Sequence, residues 1–216
     1  MRVFLHVAAM NHYREVVAEL SGAISASGLY DVATALTCSI VGGGSVDGLL
    51  GEKWSNHHTG TLEEYEYPTL DLLHTQARLT PSDSFLYLHT KGVSKPAQRK
   101  HRDAWRRYMT HCVIERWKEC VQLLEDSFNT VGNDWQNDKY SPGNIYAGNF
   151  WWARGDYIAS LTSPTDCLTK SPKGPRYGAE LWVGTGDVHP CMIATINSRY
   201  LHRPFPIPES AYRSSS

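Results

Sequence analysis

The sequence has no excess of charge of either sign and no cysteine pattern typical of a metal site or a disulfide framework. Its 21 basic and 22 acidic residues give a formal net charge of −1, so no overall field attracts nucleic acid or an anionic membrane. The five cysteines are widely scattered, without a C-x-x-C pair. This favours reduced thiols in a cytosol-like compartment and argues against structural zinc. Partners must therefore be recognised by a local site.

Long apolar runs and several common enzyme motifs are also missing. Residues 1–9 are too short for a signal peptide or a membrane span, and no other segment is apolar enough to cross a bilayer. We therefore expect a cytoplasmic protein without a transmembrane segment, whose membrane contacts, if any, are peripheral. The chain has no G-x-S-x-G elbow, no G-x-x-x-x-G-K-[ST] loop and no G-x-G-x-x-G fingerprint. These absences argue against the hydrolases, P-loop enzymes and dinucleotide-binding enzymes that use them.

The first part of the chain predicts a β-α-β unit. Residues 1–9 contain a short apolar strand, Asn11 is placed to cap a helix, and Gly28 is placed to end it. The apolar residues of this helix recur at helical spacing: Val16, Val17, Leu20, Ala23 and Ile24. A second strand is predicted from Val32 to Val41. Such units build parallel sheets with right-handed crossovers, so we expect a single α/β domain.

The rest of the chain predicts further elements of the same class. In chain order they are an edge strand Glu63–Tyr67, a helix Thr69–Leu79, a strand Phe85–Leu88, a helix His101–Asp126 and an aromatic, strand-like block Ile145–Ala153. The basic residues of the long helix are expected on a solvated face: Arg102, Arg106, Arg107, Arg116 and Lys118. The domain is expected to span residues 1–203, and residues 204–216 to form a poorly anchored tail.

The most informative stretch of the chain is Phe85–Gly92, an apolar run that ends in a polar tetrad. It predicts a buried strand that carries His89 and Lys91 to a cleft, because ligands of open α/β sheets bind beyond the carboxyl ends of the strands. A lysine beside a flexible glycine suits a phosphate. The alternative is a polar turn whose lysine is simply solvated.

Three blocks of sequence occur in a fixed order: His89–Gly92, Tyr146–Arg154 and Tyr177–Gly184. Together they resemble a group of GT-A-type glycosyltransferases from polysaccharide-assembling bacteria and large algal viruses, over most of the chain. The resemblance implies a Rossmann-like, mostly parallel sheet flanked by helices. It also implies a first half that binds a nucleotide-sugar donor and a second half that shapes the pocket of a glycan or saccharide acceptor.

The chain departs from this family at the motif that holds the metal ion. Most GT-A enzymes have an Asp-x-Asp motif for Mn²⁺ or Mg²⁺, and this sequence has none; His89-Thr90-Lys91 takes its place. Lys91 can neutralise the diphosphate itself, which we favour. Alternatively, His89 ligates a metal with His189 or His202, and imidazole ligands suit Mn²⁺ better than Mg²⁺.

The donor and acceptor sites are predicted from the same blocks. The donor is expected to contact Ala8, Ala9, Asn11, Arg78, His89, Thr90, Lys91 and Gly92. The acceptor sugar is expected to contact Gly148, Asn149, Trp151, Trp152 and Trp182. Trp151 and Trp152 point to opposite faces of a strand, so one can belong to the core while the other stacks on a sugar; an aromatic core strand is the alternative for either.

Glu180 is the candidate catalytic residue. It lies between small and apolar residues, where many inverting GT-A enzymes keep their carboxylate, and a poorly solvated carboxylate suits the role of general base. Glu180 would deprotonate the acceptor hydroxyl, and transfer would invert the anomeric carbon. Two alternatives stay open: Glu180 caps a helix or pairs with Arg176, or the whole chain is an inactive module of the same fold that binds sugar without turnover.

Overall fold

Short apolar runs separated by turns give this chain alternating strands and helices. The computed structural model describes residues 1–137, 144–168, 174–196 and 205–213. The strands in these ranges are β1 (Arg2–Ala8), β2 (Ala35–Val41), β3 (Trp54–Gly60), β4 (Ser84–His89), β5 (Thr130–Asn133), β6 (Trp135–Asn137), β7 (Asn144–Tyr146), β8 (Trp151–Arg154) and β9 (Pro190–Ala194). The α-helices are α1 (Tyr13–Ala26), α2 (Leu29–Val32), α3 (Tyr67–Leu79), α4 (Arg99–Thr110), α5 (Trp117–Asp126), α6 (Gly155–Ser160), α7 (Pro164–Leu168) and α8 (Pro175–Leu181).

Within the described ranges, seven strands form one mixed, mostly parallel sheet in the order β3-β2-β1-β4-β8-β5-β9. Only β8 runs antiparallel to its neighbours in that sheet, and β6 and β7 form a separate antiparallel pair. The chain places β2 on one side of β1 and later returns to place β4 on the other side. Strand order therefore reverses between β1 and β4, which is where ligands bind in open α/β sheets.

Helices cover both faces of this sheet, and the side chains of each strand alternate between them. Leu5 of β1 and Leu86 of β4 pack with α1, α4 and α5, whereas Phe4 and Phe85 pack with α3, α6 and α8. Burial on both faces explains why the central strands are continuous apolar runs. The expectation of a Rossmann-like α/β domain is thus confirmed.

The two elements that precede the turn carrying Lys91 agree well with the sequence. The helix predicted from Thr69 to Leu79 is α3, which also includes Tyr67 and Pro68 in its first turn. The strand predicted from Phe85 to Leu88 is β4, whose four central residues are buried. Both elements have an apolar pattern of the right period and clear turn residues between them.

Three local predictions in the first half are corrected. Asn11 does not cap α1, which begins at Tyr13; Asn11 has a φ of 48° and its Nδ2 donates to the carbonyl of Val93 at 2.6 Å. The second strand begins at Ala35, because residues 29–32 form a helical turn. The edge strand is Trp54–Gly60 rather than Glu63–Tyr67, and residues 62–64 form a 3₁₀ turn.

The helix predicted from His101 to Asp126 is interrupted. It is α4 and α5, separated by a π-helical turn at His111–Glu115. A π turn holds one residue more than an α turn, so it rotates the second helix about its axis. Met109 of α4 and Cys120 of α5 are both buried in the same core.

Arg106 does not lie on a solvated face. Its side chain is 2% exposed and pairs with Glu19 at 2.7 Å and Asp103 at 2.9 Å. Its Nη1 also donates to the carbonyl of Lys91 at 2.9 Å. The guanidinium thus joins α1 and α4 to the turn after β4, the turn that carries Lys91.

The described part of the C-terminal segment is anchored rather than loose. Ile207 is buried in the core, and Tyr212 packs against Tyr108 at a ring-centroid distance of 5.2 Å. His101 Nδ1 lies 2.8 Å from the carbonyl oxygen of Phe205. Sequence composition missed this because the segment is rich in proline and serine, and its contacts are made one residue at a time.

Replacing Arg106 with methionine tests how the turn after β4, which carries Lys91, is held in place. We expect a loss of about 3 kcal/mol in the free energy of unfolding, because two carboxylates and one carbonyl lose a buried partner. This value is at the low end of the range for losing one partner of a buried ion pair, because Glu19 is partly exposed. Urea unfolding measures it. Arg107, an exposed residue of the same helix, is the matched control and should change stability by less than about 0.5 kcal/mol when replaced by methionine. Equal losses in the two variants would contradict the assignment.

Candidate functional site

A cavity of about 710 Å³ opens at the carboxyl edge of the sheet, where the strand order reverses. Its floor is formed by His6 and Ala8 at the end of β1 and by His89 and the following turn at the end of β4. α4, α8 and the segment before α3 supply its other walls. Volume and position are typical of a small-ligand site in an α/β protein.

The turn after β4 is fixed from both sides. Thr90 Oγ1 accepts a hydrogen bond from the amide of Ala8 at 2.9 Å, and the amide of Thr90 donates to the carbonyl of His6 at 3.0 Å. Gly92 has a φ of 97°, and a Cβ there would lie 2.6 Å from Cβ of Arg102. The glycine is therefore needed for both its conformation and its closeness to α4. As a result, Lys91 has a defined position on the cavity floor.

Lys91, Arg102 and Arg176 form a cluster of cations that line the cavity. Lys91 Nζ lies 4.6 Å from the ring centroid of Trp105, and the Arg102 guanidinium carbon lies 5.3 Å from the same centroid. Burial, together with Arg102 and Arg176, lowers the pKa of Lys91, against the opposing effect of Glu180. Burial and Arg176 also lower the pKa of Arg102. The cluster is thus a place where an anion relieves repulsion between desolvated cations.

A buried carboxylate, Glu66, lies at the centre of a hydrogen-bond network beneath the cavity. Its Oε2 accepts from the hydroxyl of Tyr87 at 2.6 Å and from Nδ2 of Asn149 at 2.7 Å. Asn149 Oδ1 in turn accepts from the indole of Trp151 at 2.9 Å. Glu66 is also the residue immediately before α3, where the helix dipole favours a negative charge. Glu66 therefore ties α3, β4 and the turn before β8 together.

His89 is held beside this network. Its Nε2 lies 2.9 Å from the carbonyl oxygen of Gly148, and its Nδ1 lies 3.8 Å from Oε1 of Glu66. Burial and the charge of Lys91 lower the pKa of His89 to about 3. The imidazole is therefore neutral at physiological pH, with the Nε2 proton on the carbonyl. His89 orients the turn at Gly148 and adds no positive charge to the cavity.

The described residues do not fit the metal site that the resemblance to GT-A enzymes implies. No group of three His, Cys, Asp or Glu in the described ranges could hold a metal ion. His89 uses Nε2 for the Gly148 carbonyl, and His189 lies at the amino end of β9, at the opposite edge of the sheet. His202, the other candidate ligand, lies outside the described residues. The pairing of His89 with His189 is therefore wrong.

The three predicted sugar platforms are all buried. Trp151 and Trp152 do point to opposite faces of the sheet, but each belongs to a core, and Trp182 is buried as well. Their indole N–H groups donate to protein acceptors: Asn149 for Trp151, Val113 for Trp152 and Thr162 for Trp182. No ring face is left for a ligand, so the core alternative holds for all three.

Gly148 and Asn149 contribute to the floor of the site rather than to sugar contacts. A Cβ on Gly148 would lie 2.3 Å from the sulfur of Met109, and the Gly148 carbonyl faces His89. The side-chain amide of Asn149 donates to Glu66 and accepts from Trp151, and the backbone φ of Asn149 is 61°. Neither residue lines the cavity. The sequence therefore placed Gly148 and Asn149 correctly near the site, but the prediction that they contact the acceptor sugar was wrong.

The predicted donor contacts divide into two groups. Ala8, His89, Thr90, Lys91 and Gly92 line the cavity. Ala9 instead packs against Gly44, and Asn11 holds the Val93 carbonyl. Arg78 is exposed in the last turn of α3, which leads to the amino end of β4, so it lies at the wrong edge of the sheet.

Glu180 lines the cavity from α8, with 22% of its side chain exposed. Its Oε1 lies 3.8 Å from Nε of Arg176, one helical turn away. The predicted cavity position and the alternative of pairing with Arg176 are therefore both present. Glu180 therefore lines the same cavity as the cations Lys91, Arg102 and Arg176.

Several lining residues escaped the sequence analysis. Glu66, Tyr65 and Glu63 fall in a segment that the sequence predicts as an edge strand, and Arg102 was assigned to a solvated face. The signal that could have found Arg102 is its spacing of three from Trp105, which places both on one side of α4. A second groove, of about 620 Å³, shares Glu63 with the cavity and is lined by His58, Glu64 and Asp71 among others. Its carboxylates disfavour a phosphate there.

The family of the chain is shown by a family model that matches residues 49–174, more than half of the sequence. The chain belongs to the family described as Domain of unknown function (DUF8361). The matched segment includes Glu66 and Lys91 and stops before Glu180. No curated protein matches the sequence.

In the part of the chain that the structure describes, no helix combines the length and the apolar character that a bilayer span requires.

The buried histidines predict how stability depends on pH. Burial lowers the pKa of His6 to about 4 and that of His89 to about 3, from an ordinary value of 6.5. As the pH falls below about 6.5, the unfolded chain binds protons that the folded chain does not, so stability is complete above that pH and is lost down to about 4 for His6 and about 3 for His89. Each histidine contributes a slope of about 1.4 kcal/mol per pH unit.

Urea unfolding at pH 7, 6 and 5 measures this slope. Replacing His89 with glutamine, which can still donate to the Gly148 carbonyl, should reduce it by about 1.4 kcal/mol per pH unit. Replacing the exposed His57 with glutamine is the control and should leave it unchanged. An unchanged slope in the His89 variant would show that this residue is not buried in its neutral form.

Proposed function

We propose that this protein is a glycosyltransferase that moves a sugar from a nucleotide-diphosphate donor to a saccharide or glycan acceptor, with inversion and with Glu180 as the general base. The observation that carries the proposal is the cavity at the reversal point of the sheet, whose lining combines the cations Lys91, Arg102 and Arg176 with the carboxylate of Glu180. The resemblance of the three sequence blocks to GT-A enzymes supports the same function.

The cationic cluster accounts for binding of the donor. A diphosphate brings concentrated negative charge, and Lys91 and Arg102 are desolvated cations that repel each other in its absence. Fixed cations stabilise the charge that develops on a leaving diphosphate without reorganisation. This assigns to three side chains the role that a divalent cation has in most GT-A enzymes. Arg106 positions Lys91 by holding its carbonyl.

In the proposed reaction, Glu180 takes the proton from an acceptor hydroxyl. The hydroxyl oxygen forms the new bond to the anomeric carbon, while the bond from that carbon to the diphosphate oxygen breaks and its electron pair leaves with the diphosphate. The cationic cluster stabilises the leaving group. Attack and departure occur on opposite faces of the sugar, so the configuration inverts.

The alternative is a binding module of the same fold that retains a nucleotide or sugar without turnover. It is favoured by one observation, the absence of an Asp-x-Asp motif from the sequence. The two functions share the donor site and differ in what Glu180 does. Variants of Lys91 therefore test the site, and variants of Glu180 separate the two functions.

The first prediction concerns Lys91. Replacing Lys91 with methionine keeps most of the side-chain volume and removes the charge, and we expect the affinity for UDP, GDP or dTDP to fall about 10- to 100-fold, the worth of a charged contact. Isothermal titration in EDTA measures it with no free divalent cation. Lys100, an exposed lysine, is the matched control for the same substitution. Equal affinities of the two variants would contradict a diphosphate site at Lys91.

The second prediction concerns Glu180. Replacing it with glutamine preserves shape and removes the base, so we expect turnover to fall about 10²- to 10⁴-fold while donor affinity changes little. Release of nucleoside diphosphate from the donor measures turnover, and titration measures affinity. Glu125→Gln, at an exposed carboxylate, is the control. Full turnover in the Glu180 variant would exclude this residue as the base, and lack of turnover in the unmodified protein with intact binding would favour the binding module.

A further inference from the structure

Two tyrosines provide the exposed aromatic surface that borders the cavity. The predicted tryptophan platforms are buried, and Trp105 is covered by Lys91 and Arg102. Tyr65 and Tyr177 also line the cavity, and their exposed fractions are 36% and 43%. Large aromatic side chains that stay exposed beside a cavity are typical of ligand contacts.

Tyr65 has a backbone conformation that side chains rarely adopt, with φ 50° and ψ −135°. The residues around it enforce this. On one side, Thr61 and Glu64 close a capping box around the 3₁₀ turn. On the other side, Glu66 is held by Tyr87 and Asn149. Strained conformations persist where the surroundings determine them, and they cluster at ligand sites. A glycine would relieve the strain, yet the position holds a large ring at the cavity.

Tyr177 lies on α8 together with the candidate base. Residues three and four apart share a face of a helix, so Tyr177 and Arg176 both lie beside Glu180. All three line the cavity. A ligand ring against Tyr177 would therefore lie within one helical turn of the carboxylate that is proposed to remove the acceptor proton.

We propose that Tyr65 and Tyr177 form the acceptor subsite and pack against the pyranose ring of a saccharide. This inference rests on the proposed function and names where its second substrate binds. A pyranose presents C–H groups on its face, which pack on aromatic rings, and hydroxyls around its edge, which donate to carboxylates. Glu63, Glu66 and Glu180 are the cavity-lining carboxylates that lie close in sequence to the two tyrosines.

Charge distinguishes the surroundings of Tyr65 from those of Lys91 and Arg102. Lys91 and Arg102 lie on Trp105, whereas Glu63 and Glu66, which also line the cavity, come within two residues of Tyr65. Carboxylates repel a diphosphate and accept hydrogen bonds from neutral sugar hydroxyls. Tyr65 therefore suits the uncharged saccharide better than the nucleotide, and Tyr177 lies between Arg176 and Glu180 on α8.

Saturation-transfer NMR with the intact protein tests this inference. The probes are the methyl glycosides of glucose, mannose, galactose and rhamnose, each in the presence of a nucleoside diphosphate. We expect signals on the ring C–H protons of at least one glycoside. Tyr65→Gly and Tyr177→Ala should reduce them at least about fivefold, and Tyr65→Phe should retain them because the ring face remains. Leu79→Ala, an exposed apolar residue at the opposite edge of the sheet, is the control.

A second measurement separates binding from folding. Tyr65→Gly removes the strained side chain, so we expect its melting temperature to be unchanged or to rise by about 2 to 4 °C. Weaker saccharide signals in a variant at least as stable as the unmodified protein would support the inference. A fall of more than about 4 °C in the melting temperature of Tyr65→Gly would show that the Tyr65 ring is a packing element and would overturn the proposed subsite.

The remaining outcomes keep this inference distinct from the proposed function. Undiminished saccharide signals in both tyrosine variants would overturn the subsite. A loss of nucleoside diphosphate affinity in either variant, measured by titration, would overturn it in favour of a nucleobase contact. Binding of the nucleoside diphosphate without any glycoside signal would overturn the subsite and leave the donor site standing. Failure of the unmodified protein to bind a nucleoside diphosphate would remove the proposed function itself.

Discussion

The buried carboxylate of Glu66 is the interaction on which the site depends. It accepts hydrogen bonds from Tyr87 of β4 and from Asn149 in the turn before β8, and it lies at the amino end of α3. A buried charge is stable only when its hydrogen bonds are satisfied, so these three elements are held at one point beneath the cavity. The same carboxylate lies beside His89. Because Glu66 directly follows Tyr65, its hydrogen bonds also hold the backbone next to Tyr65. One side chain thus links the packing of the sheet to the shape of the cavity.

The charges around the cavity follow from how the chain folds around this point. The turn after β4 carries Lys91 inward because Gly92 allows α4 to approach, and α4 then contributes Arg102. α8 supplies Arg176, Tyr177 and Glu180 from the opposite wall. The cavity thus brings desolvated cations together with carboxylates and exposed tyrosines.

Apolar periodicity and turn residues were sufficient to predict the α/β class, α3, β4 and the place of His89 and Lys91. They were sufficient because a strand buried on both faces must be apolar, and residues beyond its end must be polar. The edge strand β3 could not be predicted in this way, since one side of an edge strand is solvated and its sequence here is polar. The chain in fact pairs Trp54–Gly60 with β2.

Other site features could not be predicted because they depend on tertiary contacts. The sequence pattern of Arg106 is that of a surface arginine, and its buried position depends on the contacts with Glu19 and the Lys91 carbonyl. The tryptophans that the sequence offers as sugar platforms are buried by helices on both faces, and exposure at the cavity falls to Tyr65 and Tyr177. Burial of a large ring depends on what packs on it, which local pattern does not contain. The strain at Tyr65 is also a tertiary effect.

The most direct test of the account is isothermal titration of the protein with UDP-glucose, GDP-mannose and dTDP-rhamnose, each in Mn²⁺ and in EDTA. The account predicts that one nucleotide family binds and that its binding survives EDTA, because Lys91, Arg102 and Arg176 supply the positive charge. Absence of binding to every donor, with and without Mn²⁺, would contradict it.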